Sequence, residues 1–334
     1  EGFFSGDISQ IEARAVPIAG FHGTATDWQV IDGAPTGDTF SGTFSVPAGW
    51  YTIEARTLDG NTVVGEASVD EVGVGEVFVT AGQSNSANWG SPPITPNDPR
   101  VSAYGPNGWQ FGRDPQPIAD GTNGGTPWPT LGEMLVDTWD VPVGFISVGV
   151  GGTRVDQWLP AGSLYPRLQD ALNVVGPNGL RAVLWHQGES DYINGTTAGD
   201  YASRLQTVIA QSRTDVGFDV PWGVALASFV PGFPNPGQAV IDGQMQVISA
   251  DPLVFEGAST DDLTGLMWRI SDLIHFNEAG LREHGTRWWQ QVLATFANPA
   301  ATVGDYNNDG TVTAADYTVW RDTLGQQGLA LAAD

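Results

Sequence analysis

Cysteine and lysine are both absent from this chain of 334 residues. Without cysteine, the chain can form no disulfide, no thiolate metal site and no cysteine nucleophile. Without lysine, it lacks the amine that P-loop nucleotide sites and Schiff-base enzymes require. Histidine is scarce as well, with four residues. The side chains left for chemistry are therefore mainly hydroxyls, carboxylates and these few imidazoles.

Positive charge is also scarce. The chain has 38 acidic and 13 basic residues, and its net charge of -25 repels nucleic acid and anionic membrane surfaces. No run of 18 apolar residues is present, so no membrane span is predicted. Acidity and abundant Gly, Asn and Thr favour a secreted protein. The chain begins at Glu1 without a signal-peptide pattern, as we expect of a mature chain.

One serine lies where a nucleophile is expected. The apolar segment Val77–Thr80 predicts a buried strand, and the chain continues through Ala81 directly into the turn Gly82-Gln-Ser-Asn85. A hydroxyl in such a turn is exposed at the carboxyl edge of a sheet, where open α/β folds keep their sites. Ser84 is therefore the candidate nucleophile.

A serine hydroxyl needs a base, and histidine is the usual one near neutral pH. Two of the four histidines have structural positions: His22 lies in a β-rich region, and His284 lies in the middle of a predicted helix. His186 and His275 remain as candidates. His275 has a carboxylate three residues upstream, Asp272, and this spacing lets an acid orient the imidazole and stabilise its charged form.

Four sequence blocks together resemble those of the SGNH hydrolases. They are Gly82-Gln-Ser-Asn85, Val150-Gly-Gly-Thr153, Trp185-His-Gln-Gly-Glu189 and Asp272-Leu-Ile-His275, and they occur in the family's order within residues 74–296. The branch they resemble most is that of the sialate O-acetylesterases and the carbohydrate acetylesterases similar to carbohydrate esterase family 6. The resemblance implies Ser84 as nucleophile and His275 as base. Asp272 is the favoured orienting acid, and Glu189 is the alternative.

The resemblance also implies an oxyanion hole and a substrate rim. The expected donors are the amide of Ser84, the amide of Gly152 or its neighbour Gly151, and the side chain of Gln187. Gln187 replaces the asparagine of the wider superfamily. The sequence leaves open whether the His186 side chain is buried or faces the substrate. The side chains expected to contact substrate are His186, Trp89 and Trp158.

Changes in the pattern of polar and apolar residues along the sequence predict three regions. Residues 1–72 alternate polar and apolar side chains, which predicts a small β-sandwich. Residues 73–298 alternate apolar strands with helical patterns, which predicts an esterase domain with a parallel sheet. The resemblance makes this domain a three-layer α/β/α, flavodoxin-like SGNH hydrolase. Residues 89–129, rich in Pro, Gly and Asn, read as one long functional loop. Residues 299–334 form a linker and a calcium-loop segment.

Oxygen-bearing residues in this last region have the spacing of an EF-hand loop, with Gly310 at the bend. The segment resembles one repeat of a dockerin, the module that attaches extracellular enzymes to scaffolds, but a second repeat is lacking. The segment is therefore predicted to bind calcium, whereas the sequence leaves open whether it binds a cohesin-like or cell-surface partner. The predicted calcium ligands are Asp305, Asn307, Asp309, Thr311, Thr313 and Asp316.

Taken together, these features predict a serine esterase that needs no cofactor for catalysis. It would remove acetyl groups from carbohydrates, and acetylated polysaccharide such as acetylxylan suits the dockerin-like tail better than sialic acid does. The alternatives are a sialate O-acetylesterase and a noncatalytic carbohydrate-binding or scaffold-attached protein. A lipase or thioesterase of broad specificity would need a more apolar acyl tunnel than these Gly-rich and polar loops indicate.

Overall fold

The computed structural model describes residues 1–175 and 179–296. Its backbone contacts divide the described chain into two compact units. The first comprises Glu1–Gly75 with Trp139–Pro142, and the second comprises residues 76–138 with the described residues from Val143 onward. None of the helices in these described ranges has the length and apolar character that crossing a bilayer requires.

The first unit is built from antiparallel strands. The hairpin between β5 and β6 turns at Gly60, whose φ of 58° suits glycine, as the Asp-Gly pair predicts. A β-sandwich needs a second sheet that covers the first. The described residues instead form a four-stranded sheet, in the order β3-β2-β5-β6, and a separate two-stranded ribbon of β1 and β4, so the sandwich is not confirmed. The strands are β1 (Gly2–Phe3), β2 (Gln10–Pro17), β3 (Gln29–Asp32), β4 (Thr39–Phe40), β5 (Gly49–Asp59) and β6 (Thr62–Val74).

The second unit contains a seven-stranded sheet. Its strands are β7 (Glu76–Gly82), β8 (Val101–Gly105), β9 (Gly108–Phe111), β10 (Val143–Ser147), β11 (Ala182–His186), β12 (Trp222–Leu226) and β13 (Val254–Ser259). Their order is β13-β12-β11-β7-β10-β8-β9. All neighbours are parallel except β8 and β9, so the sheet is mixed where a parallel one was predicted. The antiparallel hairpin of β8 and β9 lies inside the predicted loop of residues 89–129.

Helices cover both faces of this sheet because successive strand residues point to opposite sides. Val79 packs in a core with residues of α2, α4 and α5. Phe78 lies on the other side, stacked against Phe145, which in turn contacts Trp128 of α1; Trp128 contacts Trp288 of α6. The helices are α1 (Trp128–Trp139), α2 (Tyr165–Val175), α3 (Glu189–Ile193), α4 (Ala198–Val216), α5 (Gln238–Ala250) and α6 (Glu278–Thr295).

The strand order places three of the four blocks at one edge of the sheet. β7 lies between β10 and β11, and each of these strands is followed by one block. The chain leaves β7 toward β8 on one side and later passes to β11 on the other, so β7 marks the point where the strand order reverses. Open α/β sheets bind ligands at the carboxyl ends of strands beside such a point.

Candidate active site

The turn after β7 holds Ser84 in a fixed position. Gly82 has a φ of 124°, and a Cβ there would lie 2.0 Å from the His186 carbonyl oxygen, so only glycine fits. The Gln83 amide donates a hydrogen bond of 2.9 Å to this same oxygen, and the Ala87 amide donates one of 2.9 Å to the Ser84 carbonyl. The chain therefore leaves the strand in a short 3-10 turn that begins at Ser84.

The loop before α6 folds Asp272 back onto His275. One carboxylate oxygen of Asp272 accepts hydrogen bonds from the amides of Ile274 and His275, at 2.8 and 3.0 Å, and the other lies 2.7 Å from His275 Nδ1. Leu273, between them, has a φ of 61°, which is uncommon for a bulky residue. Burial opposes ionisation of Asp272, yet these hydrogen bonds hold its pKa below the ordinary value.

Contacts between side chains bring the Ser84 turn and the His275 loop together. The side-chain amide of Asn85 donates to the Ile274 carbonyl at 3.4 Å, and the ring of Trp89 stacks on the His275 ring with centroids 5.3 Å apart. In the described chain, neither the Ser84 hydroxyl nor His275 Nε2 has a hydrogen-bond partner. Both groups are therefore available to a substrate at the same edge of the sheet.

The alternative acid, Glu189, has different neighbours. It is buried at the start of α3, where its Oε1 accepts a hydrogen bond from the Asn85 amide at 2.9 Å and lies 3.5 Å from His186 Nε2. Burial alone would raise the pKa of the Glu189 carboxyl, but the His186 imidazole and the Asn85 amide bring it below its ordinary value overall. Among the described residues, the carboxylate that contacts His275 is Asp272, and this geometry favours Asp272 as the orienting acid.

Two backbone amides are free to stabilise a negative oxygen. The Gly151 amide is taken, because it donates a 2.9 Å hydrogen bond to the Asp120 carboxylate. The amides of Ser84 and Gly152 donate no hydrogen bond within the described part of the chain. Gly152 has a φ of 69°, a conformation that suits glycine. Of the two glycines considered, Gly152 is thus the better candidate donor.

The structure gives Gln187 partners that do not suit an oxyanion donor. Its side-chain nitrogen is buried and lies 2.7 Å from the Asp191 carboxylate, 3.1 Å from the Thr153 carbonyl and 3.3 Å from Gln83 Oε1. A primary amide has two hydrogens, and these protein oxygens occupy both. The expected oxyanion role of Gln187 is therefore corrected to one of tying the second and third blocks together.

Two of the three residues expected to contact substrate are enclosed. Trp158 is 0% exposed, and its indole N–H donates to the Thr153 hydroxyl at 3.2 Å. His186 is also 0% exposed, and its ring lies 4.6 Å from that of His284. Substrate contact by Trp158 and His186 is therefore wrong, because both side chains belong to the core. Trp89 is 42% exposed, lies beside His275 and remains a candidate for substrate contact.

Arg269 was missed by sequence reasoning although it supports the His275 loop. Its buried guanidinium donates to the carbonyls of Leu263 and Ile274 and lies between the rings of Phe229 and Phe276, 4.6 and 4.3 Å from their centroids. Burial lowers its pKa to about 10. An isolated arginine six residues before His275 belongs to no sequence motif, so the sequence does not indicate that Arg269 supports this loop.

Within residues 1–175 and 179–296, no group of three or more histidine, aspartate or glutamate side chains is arranged to hold a metal ion. The predicted calcium ligands at 305–316 lie outside the described residues.

Comparisons with known proteins agree with the sequence blocks. The family model described as "Carbohydrate esterase, sialic acid-specific acetylesterase" matches residues 74–294. A probable carbohydrate esterase from Arabidopsis thaliana is 23% identical over 166 residues, which cover 42% of this chain and 64% of that relative. The match therefore spans less than two thirds of the relative's length.

Solved structures show the same fold. The Arabidopsis thaliana protein gives a TM-score of 0.55 at 18% identity, covering 66% of this chain and 99% of that one. A carbohydrate acetylesterase from Xanthomonas citri gives a TM-score of 0.50 at 18% identity, covering 86% of this chain and 68% of that one. Because the family model matches more than half of the chain, the protein belongs to the carbohydrate esterase family of sialic acid-specific acetylesterases, a family of carboxylic ester hydrolases.

Proposed function

We propose that this protein is a serine esterase that removes O-acetyl groups from carbohydrates through an acyl-enzyme. The observation that carries the proposal is the pairing of His275 Nδ1 with the Asp272 carboxylate at 2.7 Å, next to the Ser84 turn. This pairing places the proton on Nδ1 and leaves the lone pair on Nε2, which is the tautomer that a general base needs. Membership of a carbohydrate esterase family supports the reaction class.

The proposed reaction has two steps. Ser84 Oγ attacks the acetyl carbonyl carbon while His275 Nε2 takes the hydroxyl proton, and the amides of Ser84 and Gly152 stabilise the oxyanion. His275 then gives its proton to the departing sugar oxygen. In the second step, a water molecule loses a proton to His275 Nε2, and its oxygen attacks the carbonyl carbon of the acetyl-serine ester. The bond from this carbon to Ser84 Oγ then breaks, His275 returns the proton to Ser84 Oγ, and acetate leaves. Asp272 stabilises the imidazolium in both steps.

A neutral acetylated polysaccharide, such as acetylxylan, is the substrate class we favour. The net charge of -25 opposes the approach of an anionic substrate such as a sialic acid. The exposed face of Trp89 provides an apolar ring of the kind that packs against a sugar, and it lies beside His275. Sialate O-acetyl esters are the second candidate, because the description of the matched family names them.

Acetate release from acetylated xylan, mannan, pectin and sialic acids tests the proposal. We expect turnover of at least one of the neutral polysaccharides, and we expect Ser84→Ala and His275→Ala each to lower kcat/KM by about 10³-fold or more. Ser203→Ala, which changes an exposed serine on α4, is the matched control and should leave activity unchanged. Near-normal turnover in folded Ser84→Ala would contradict the proposal.

We also propose that the segment at 305–316 binds one calcium ion, because its carboxylates repel one another unless a hard cation offsets their charge. Titration calorimetry of the full chain should show one saturable site that Asp309→Ala removes. The exposed Asp242→Ala on α5 should retain it, and ester turnover should stay within about twofold in both variants because no proposed reaction contact changes. Calcium binding that survives Asp309→Ala would overturn the assignment.

A further inference from the structure

Asp120 joins two segments of the proposed active site through four hydrogen bonds. Its carbonyl accepts from the Asn88 amide and its amide donates to the Gly149 carbonyl, each at 2.9 Å. Its carboxylate oxygen Oδ2 accepts from the Trp89 indole N–H at 3.1 Å and from the Gly151 amide at 2.9 Å. One backbone bond and one side-chain bond therefore run to each segment.

The two side-chain bonds end next to groups that the proposed reaction uses. The Gly151 amide belongs to the peptide plane between Val150 and Gly151, and this plane directly precedes the one that carries the Gly152 amide, a candidate oxyanion donor. A bond at the Gly151 amide therefore restrains the backbone from which the Gly152 amide projects. Trp89 stacks on His275, so the bond at its indole nitrogen restrains the ring that covers the base. A single oxygen atom thus connects the oxyanion loop with the aromatic cover of His275.

We propose that Asp120 is a positioning residue that sets the Gly152 amide and the Trp89 ring relative to Ser84. This inference rests on the proposed function. Displacing a reacting or stabilising group by about 1 Å can cost on the order of 10²-fold in rate. Because the alanine and asparagine variants both keep the backbone N–H and C=O of residue 120, loss of the carboxylate should disturb the site and leave the fold in place.

The Asp120→Asn variant separates the effect of hydrogen-bond geometry from the effect of the negative charge of Asp120. Both side-chain bonds end on Oδ2, and the single carbonyl oxygen of an asparagine can accept both. If Asp120 acts through geometry, Asp120→Asn therefore restores what Asp120→Ala removes. Trp89→Phe keeps an aromatic ring over His275 but removes the indole N–H, so it cuts one of the two bonds.

The first experiment measures hydrolysis of an aryl acetate, whose small leaving group makes few contacts with the rim. We expect kcat of Asp120→Ala to fall by about 30-fold or more with KM changed less than about threefold, because the loss lies in positioning of the transition state. Asp120→Asn should stay within about threefold of the wild type, and Trp89→Phe should fall between the two. Asp242→Ala, on an exposed helix face, should match the wild type.

Hydrogen–deuterium exchange of the same variants gives a readout that does not depend on turnover. Peptides covering residues 149–153 should exchange faster in Asp120→Ala than in the wild type, and Asp120→Asn should restore the wild-type rate, since the Gly151 amide regains an acceptor. Unchanged exchange in Asp120→Ala overturns the inference, as does an Asp120→Asn variant as slow in turnover as the alanine variant. A wild type that hydrolyses no ester contradicts the proposed function, and the exchange result still decides the role of Asp120.

Discussion

Two carboxylates lie near the Ser84 turn, and their hydrogen bonds give them different tasks. Asp272 is exposed and holds the His275 ring, whereas Glu189 is buried and holds the Asn85 side chain. A charged group beside the imidazole stabilises its protonated form directly. Glu189 acts one residue away from the nucleophile, through Asn85. We therefore propose that Asp272 takes part in the chemistry and that Glu189 positions the turn.

This assignment predicts unequal costs of neutralising the two acids. Asp272→Asn should lower kcat/KM by about 10³-fold or more, because the imidazolium loses its counter-charge and the ring loses its fixed tautomer. Glu189→Gln keeps an oxygen for Asn85 and should cost less than about tenfold. Steady-state kinetics on an aryl acetate measures both values. The reverse ranking would transfer the orienting role to Glu189.

The pH dependence of activity adds a second readout for Asp272. Activity should fall on acidification, because protonated His275 cannot accept the Ser84 proton. The pKa of Asp272 lies below its ordinary value of 3.8, so this carboxylate stays charged in mildly acidic solution. In Asp272→Asn, the imidazolium is less stable, so the acid limb of the kcat/KM profile should move to lower pH. An unmoved acid limb would contradict an interaction between the two side chains.

How well single residues could be predicted depended on where their partners lie in the sequence. Asp272 and His275 contact each other across three residues, so their pairing was visible in the sequence. The burial of Trp158 and His186 arises from packing among distant elements, which no local pattern shows. Asp120 lies in an irregular segment, and each of its two side-chain partners is 31 residues away from it in the sequence, so its position could be found only in the structure.

At the scale of elements, the segment 89–129 is more ordered than its composition indicates. Besides β8 and β9, it contains the buried Asp114, whose Oδ2 accepts from the amides of Ile94 and Thr126 at 3.0 and 2.8 Å. Its Oδ1 accepts from the Thr126 hydroxyl at 2.7 Å and from the Gln116 side chain at 3.2 Å. One carboxylate therefore holds both ends of the segment that frames the Ser84 turn.

Asp114 makes the stability of this segment depend on pH. Burial raises the pKa of Asp114 from 3.8 to about 6, which outweighs the four hydrogen bonds that favour its charged form. The folded state then binds more protons than the unfolded state between these two values, so the contribution of Asp114 is full below pH 4 and falls as pH rises toward 6. The loss is about 3 kcal/mol of unfolding free energy, as converted from the shift.

Comparison with Asp114→Asn isolates this contribution, because asparagine does not titrate and all other groups are shared. The unfolding free energy of the wild type relative to Asp114→Asn should be larger at pH 4 than at pH 7 by about 3 kcal/mol. Urea unfolding at the two pH values measures this difference. A gap that does not change with pH, or that grows as pH rises, would contradict the raised pKa.

Strong apolar runs made the central strands predictable, since a strand buried on both faces has few polar positions. The predicted strand at Val77–Thr80 corresponds to β7 within two residues at each end. The apolar runs Val143–Val148 and Ala182–Trp185 likewise correspond to β10 and β11 within one residue at each end. β8 and β9 were missed because glycine and proline surround them and each is short. β8 also pairs with β10, which is a long-range contact that no local sequence pattern shows.

Considered as a whole, the chain combines a large negative net charge with a family fold in which three of the four sequence blocks lie at one edge of a sheet. The chain has a net charge of -25, and its second unit contains all four sequence blocks. Long-range repulsion of this size disfavours anionic partners at low ionic strength and is screened within about 10 Å at 0.1 M salt. Neutral acetylated polysaccharides avoid this repulsion, in agreement with the proposed substrate class.

Active-site labelling is a direct test of Ser84 as a nucleophile that His275 activates. The wild-type protein is treated with a fluorophosphonate, which modifies activated serines, and the site of modification is determined by peptide mass mapping. We predict one adduct, on Ser84, formed in parallel with loss of ester hydrolysis and absent from Ser84→Ala and His275→Ala. An adduct on another residue, or complete labelling of Ser84 with hydrolysis intact, would contradict the account.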